Sequence, residues 1–153
     1  MARTEFTYPS GQFPTTDKRD LLAFCGPTLE VDIGLDQKYD PDRPAVVPKL
    51  AQQRVRALVD TGATASYIDS QVARRLGLPQ IDKETVTLAL GGQQIIVTYL
   101  AHVHIPSLFF TLVGPFGGLD LRPLNVAAVL GREFLMDWKL KYDGTTGVVT
   151  LES

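Results

Sequence analysis

Cysteine occurs once in the 153 residues, at position 25, and histidine only twice. A single thiol excludes an intrachain disulfide framework and leaves no thiolate set for a structural zinc site. His102 and His104 stand two apart and share a face if they lie on a strand, but no further His or Cys completes a ligand set, so no metal is expected. An excess of one charge sign is lacking too: 15 Lys and Arg against 17 Asp and Glu give a net charge of −2, with the signs interspersed. That excludes the basic footprint expected for nucleic acid or an anionic membrane surface. The longest apolar stretch, 105–116, is broken by Pro106, Ser107, Gly114 and Pro115 and falls short of the roughly 20 residues of a membrane-spanning helix. Residues 1–13 carry charge and proline without the apolar centre of a secretory signal. A soluble, cytoplasmic protein with protein, peptide or small-molecule partners is the expectation.

What is present suits one globular domain, since 44% of the residues are hydrophobic. Residues 1–27 mix Pro, Gly, Thr and charge without periodicity and are expected to form an arm or poorly ordered tail, with the folded domain over 28–153. Leu29, Val31, Ile33 and Leu35 alternate with polar or small neighbours, the period of a half-buried strand, and the Pro-rich, charged stretch 36–48 is a loop. Residues 53–60 begin by alternating and end in the run Ala57-Leu58-Val59, as a strand does on passing into a core, and so deliver Asp60 to the interior. Extended structure resumes at Ser66, Tyr67 and Ile68. Asp69 then caps a short helix carrying Val72, Ala73 and Leu76, with Arg74 and Arg75 in its last turn and Gly77 ending it. Strand-like runs at 85–90 and 95–105 flank Gly91-Gly92, a hairpin with a glycine tip. A buried run at 126–130 meets Gly131 and a helical candidate at 132–136, and 138–142 with 148–151 make a final hairpin. The chain is mainly β with short helices.

The chemistry gathers at Asp60-Thr61-Gly62-Ala63, directly after a hydrophobic strand. A carboxylate there sits beside apolar groups, where its charge is costly unless hydrogen bonds compensate. The Thr61 hydroxyl and the amides of Gly62 and Ala63 are the local donors, and Gly62 permits a tight turn. The bland alternative is a buried turn aspartate that caps nearby amides.

Leu58-Val59-Asp60-Thr61-Gly62-Ala63-Thr64 resembles the active-site loop of retropepsins and pepsin-like aspartic proteases, and Val129-Leu130-Gly131-Arg132 resembles the apolar-apolar-Gly segment that packs beside it. Gly91-Gly92 falls between them, where retropepsins place the flap. The resemblance, over roughly 28–153, implies a retropepsin-like closed β-barrel of the acid protease fold and a homodimer without cofactor. It implies Asp60 as the catalytic residue, Thr61, Gly62 and Ala63 as its loop, and Leu130, Gly131 and Arg132 as structural neighbours. Leu58, Ala127 and Val129, with Gly62, Ala63 and the Gly91-Gly92 flap, would contact an extended peptide substrate.

Aspartic proteases need two carboxylates, and this chain has one Asp-Ser/Thr-Gly: Asp32-Ile33-Gly34 lacks the hydroxyl residue and Asp143-Gly144 lacks the middle position. The second carboxylate is expected from another copy. The sequence departs from the viral pattern at Thr64, where many members carry an acid that pairs with the arginine of the Gly-Arg segment, so Arg132 needs another partner or is a solvated or capping residue. Trp138, Phe109, Phe110 and Phe116 are expected in the core or a dimer contact. The alternative function is a catalytically silent dimer of the same fold that binds peptides as a scaffold.

Overall fold

The computed structural model describes residues 1–8, 11, 13–43 and 45–153; Pro9, Ser10, Gln12 and Pro44, inside the segments expected as arm and loop, lie outside the described residues. The alternation at 28–35 becomes β2 (Thr28–Gly34), in which Leu29, Val31 and Ile33 are buried. It pairs antiparallel with β3 (Gln52–Val59), which ends one residue before Asp60. A short β4 (Tyr67–Asp69) runs into α2 (Ser70–Arg75), where Asp69 caps the amides of Gln71 and Val72 and Gly77 turns the chain away at φ +63°.

Next comes a long hairpin of β5 (Gln80–Thr87) and β6 (Gln93–Ile105), with β5 starting five residues before the alternation suggested. Its tip holds Gly91 and Gly92 at φ +85° and +88°, left-handed values that glycine adopts without strain. The first half of β6 pairs with β5, and its second half pairs with both β7 (Phe110–Leu119) and β2. The sequence reading missed β7 because Gly114, Pro115, Gly117 and Gly118 interrupt it. Proline is tolerated there because Leu100, opposite it, points its amide away from β7 to the Pro79 carbonyl, so the two are not a hydrogen-bonded pair and the N–H that Pro115 lacks is not called for.

β8 (Ala128–Leu130) lies parallel to β3 and antiparallel to β4, and α3 (Arg132–Leu135) follows it. The order β2-β3-β8-β4-β7-β6, closed by β2–β6 pairing, makes a six-stranded barrel that β5 overhangs. This is the closed β-barrel with short helices expected from the sequence. Val31, Ile33, Ala57, Val59, Ile68 and Leu130 pack in one core cluster. Of the aromatic residues, Phe116 is buried, Phe110 and Phe134 pack on Trp138, and Phe109 is exposed.

Residues 1–27, expected as an arm or a poorly ordered tail, contribute a strand and a helix. β1 (Arg3–Glu5) joins β10 (Val148–Glu152) and β9 (Lys139–Asp143) in a separate three-stranded sheet. α1 (Lys18–Cys25), capped by Asp17, buries Leu22 in the core cluster with Phe6. The signal was weak because each element buries one or two side chains, too few to set a period. Tyr8 donates to the Gly147 carbonyl at 2.8 Å, and burial first pushes its hydroxyl pKa up to about 12, so it remains a donor.

Gly147, at φ +72°, is where this arm meets the C-terminal hairpin: a Cβ there would sit 2.3 Å from the Lys18 carbonyl carbon. Gly147→Ala should therefore cost more than the roughly 1–2 kcal/mol of left-handed backbone strain alone. Hydrogen exchange should show α1 losing protection well before β2 and β3 do; uniform loss, or none, would contradict this anchoring role.

A second expectation concerns pH. His102 and His104 are 5% and 4% exposed, and burial lowers both pKa values, with Asp36 and Asp32 opposing more weakly. The unfolded chain takes up these protons near pH ~6.5 while the fold resists them, so their share of stability is complete above that value and is lost as pH falls through the lower folded values. The melting temperature should drop between pH 7.5 and 5, and less so in the His102→Asn, His104→Asn double variant. Equal pH slopes would remove the histidines as the cause.

Candidate active site

β3 and β8 are parallel, with Ala57, Leu58 and Val59 opposite Ala128, Val129 and Leu130, so both strands end at the same edge of the barrel. Their two following loops are thereby forced together. The Asp60 amide donates to the Leu130 carbonyl at 2.9 Å, the Arg132 amide to the Ala63 carbonyl at 2.8 Å, and the Glu133 amide to the Thr64 carbonyl at 3.1 Å. The Gly131 amide donates to the buried Ser66 hydroxyl, and the Ser66 amide to Glu133 Oε1, both at 3.1 Å. A Cβ at Gly131 would lie 2.2 Å from the Ala65 carbonyl oxygen and 2.8 Å from that of Ala63. Only glycine permits this approach.

Arg132 finds the partner that the sequence left open. Its Nη1 donates to the Thr61 carbonyl at 2.8 Å and its Nη2 to Thr64 Oγ1 at 2.9 Å. The threonine that replaces the acid of the viral pattern thus accepts the arginine as a neutral oxygen. Ser66 and Glu133 are supporting residues that the sequence reading missed. A buried serine six residues after Asp60 and a helix-first-turn glutamate have no spacing signature until the two loops are placed side by side.

Asp60 itself is half-buried. Its Oδ1 accepts the Gly62 amide at 2.7 Å, while Oδ2 accepts no hydrogen bond among the described residues. The Ala63 amide goes to the Asp60 carbonyl at 3.2 Å rather than to the carboxylate, and the exposed Thr61 hydroxyl does not reach it. Of the three donors expected from the sequence, only the Gly62 amide reaches the carboxylate. The result is a carboxylate with one oxygen oriented and one free, presented at the surface of a single chain.

Of the other sequence-derived residues, Val129 lies buried on β8, beside Leu58 in the ladder, and Leu58 Cδ1 packs toward Gly26 at the end of α1. Ala127 is half-buried where its amide meets the Arg56 carbonyl and its own carbonyl accepts the Asp69 amide. Gly91 and Gly92 stand in open space at the hairpin tip and are not brought onto Asp60 within this chain. The tip-proximal half of the hairpin does reach the loop: Val86 and Ile96 share a cavity of about 160 Å³ with Ala65 and Tyr67. His102 and His104 are committed locally, His102 Nδ1 accepting the Asp36 amide at 3.1 Å and His104 Nδ1 lying 2.8 Å from Thr111 Oγ1. No further ligating side chain joins them among the described residues.

Comparison with known proteins gives the same picture. A family model described as aspartyl protease matches residues 46–134, more than half of the chain and the whole of the loop pair. The crystal structure of a retropepsin-like aspartic protease from Rickettsia conorii superposes with a TM-score of 0.50 at 17% identity, covering 98% of this chain and 90% of that one. EIAV protease complexed with the inhibitor HBY-793 gives 0.46 at 18% identity over 72% of this chain and 86% of that one. At 17% identity the likeness to the Rickettsia conorii structure speaks for the fold alone. No curated protein sequence matches the chain.

The clamp makes a direct prediction. Arg132→Lys retains the charge but offers no planar fork, so it cannot serve Thr61 and Thr64 together, and the loss should be about 1–2 kcal/mol. Gly131→Ala should cost about 3 kcal/mol or more, since backbone oxygens cannot step aside. Denaturant unfolding gives both values; a smaller effect at Gly131 than at Arg132 would contradict the geometry.

Proposed function

From the premise that the chain belongs to the aspartyl protease family, we propose that it is an endopeptidase in which two copies each supply Asp60 to one active site. The observation that carries this reading is the Asp60 carboxylate with Oδ1 fixed by the Gly62 amide and Oδ2 free, in a loop that occurs once in the chain. Two carboxylates held close share one proton. The ionised one takes a proton from a water, whose oxygen attacks the peptide carbonyl carbon, while the protonated one donates to the carbonyl oxygen. Collapse of the tetrahedral species returns that proton and delivers another to the leaving amine. Nothing in these steps calls for a cofactor. A closed two-fold dimer is the simplest arrangement that meets the requirement for a second Asp60.

The substrate is an extended peptide bound by strand-like pairing. Leu58, Ala127 and Val129 are aliphatic, and Gly62 and Ala63 are small, which favours apolar side chains beside the cleaved bond. The hairpin supports a closing role: among the described residues its β5 strand pairs only with β6, and Leu88, Leu90 and Ile95 near its tip are exposed, Leu90 completely so. Apolar groups held in water at the end of a two-stranded lever gain by folding over a bound peptide.

Purified protein incubated with a diverse peptide pool should cleave it, and Asp60→Asn should leave the pool intact. Activity per subunit should fall on dilution as dimer dissociates. Adding excess Asp60→Asn protein under subunit exchange should inhibit wild type, because mixed dimers hold one ionisable carboxyl. Full activity of an isolated monomer would sink the shared site, and identical pools from wild type and Asp60→Asn would favour the silent scaffold.

A further inference from the structure

The charges that look evenly interspersed along the chain are not so in space. Arg54, Arg56, Arg75 and Arg122 line one open depression of about 410 Å³ on the outer flank of β3 and α2, in a protein whose net charge is −2. Arg54, at an irregularity of β3 with φ +56°, and Arg56 come from that strand, Arg75 ends α2, and Arg122 opens the turn before β8. Valines 55, 72 and 126 give the depression an apolar lining. Clustered guanidinium groups repel one another, so the balance of nearby carboxylates decides whether the cluster seeks an anion.

That balance is short. Arg122 is neutralised by Asp120, through Nε at 2.8 Å and Nη2 at 2.7 Å, and these bonds hold the Asp120 carboxyl down at about 2. Asp69 also lines the depression, but it is buried and its oxygens are taken by the amides of Gln71, Val72 and Leu121. Among the described residues no carboxylate accepts a hydrogen bond from the side chains of the other three arginines, although Asp32 Oδ1 accepts the Arg54 backbone amide at 2.9 Å and Glu30 stands opposite Arg56 in the β2–β3 ladder. Arg56 donates from Nη1 to the Thr7 carbonyl and hydroxyl, both at 2.8 Å, and Arg75 from Nη2 to Gln52 Oε1 at 2.6 Å. These neutral acceptors orient the two guanidinium groups and leave most of their five donors unused. Arg54 has no side-chain hydrogen bond among the described residues.

We propose that this depression is an exosite for an acidic segment of the protein substrate, with Arg54, Arg56 and Arg75 taking carboxylates and the valine lining taking an apolar side chain between them. The occupant is a peptide rather than a small anion because the apolar lining separates the cationic rim, a pattern that matches alternating acidic and apolar residues. Ala127, which borders the depression, is also one of the residues assigned to the substrate cleft. The inference rests on the peptidase reading only in calling the ligand substrate.

The binding test needs no turnover. A fluorescent twelve-residue peptide alternating Glu with Val or Leu should bind Asp60→Asn protein at low salt, weaken as salt is added, and bind about tenfold or more weakly to the same protein carrying Arg54→Glu and Arg75→Glu. If charge reversal prevents folding, as a melting curve will show, Arg54→Gln with Arg75→Gln should give the same direction with a smaller step. Equal binding by the substituted proteins, or by a Gln-for-Glu peptide, would overturn the exosite. Inorganic triphosphate displacing the peptide at equal or lower concentration would overturn the peptide occupant in favour of a small-anion site. In cleavage assays an acidic flank should lower KM for the otherwise wild-type enzyme and not for the substituted one, with kcat unchanged. An enzyme that cuts no peptide would refute the peptidase reading alone, since anisotropy reports the exosite independently.

Discussion

The parallel contact between β3 and β8 is the constraint on which the site depends. Parallel neighbours end at the same edge, so the Asp60 loop and the Gly131 loop emerge together. They are then locked by backbone hydrogen bonds that run in both directions across the contact. The approach is close enough that a single methyl group at Gly131 would collide with two carbonyl oxygens. Arg132 spans the outside of the loop and Ser66 with Glu133 tie its inside. The loop that carries the Asp60 carboxylate is thus fixed before anything binds to it.

Much of this was legible before the fold was known, for identifiable reasons. The alternation in β2 and the apolar run ending β3 are set by burial of one face or both, and burial leaves a period. The Asp69 cap and the Gly77 stop follow from backbone groups that a helix cannot satisfy itself. The glycines at the hairpin tip follow from dihedral angles that other residues resist. Where the signal is a local requirement of the backbone, sequence suffices.

The parts that escaped depend on meetings between distant residues. β1 and α1 are short, and Phe6 and Leu22 acquire meaning only once β10 provides a surface for them. β7 is interrupted by residues that normally end strands and is tolerated only because Leu100 bonds elsewhere. The partner of Arg132 stayed open because Thr64 stands where the resemblance would place an acid; the loop supplies a carbonyl and a hydroxyl. The arginine depression is the clearest case, since residues from a strand, a helix and a turn converge there and composition reported only their average.

The outer edge of β5 has a further consequence. Among the described residues this strand pairs on one side alone, which leaves a row of backbone donors and acceptors open to solvent. An open strand edge recruits other chains, and crowded copies of such an edge assemble into extended sheets. The middle of β5 reads Asp82-Lys83-Glu84, three exposed charges in succession. Register with an identical antiparallel strand centred on Lys83 would set lysine against lysine, and a parallel in-register stack would repeat every charge against itself. The strand left open on one side thus carries its own protection against aggregation.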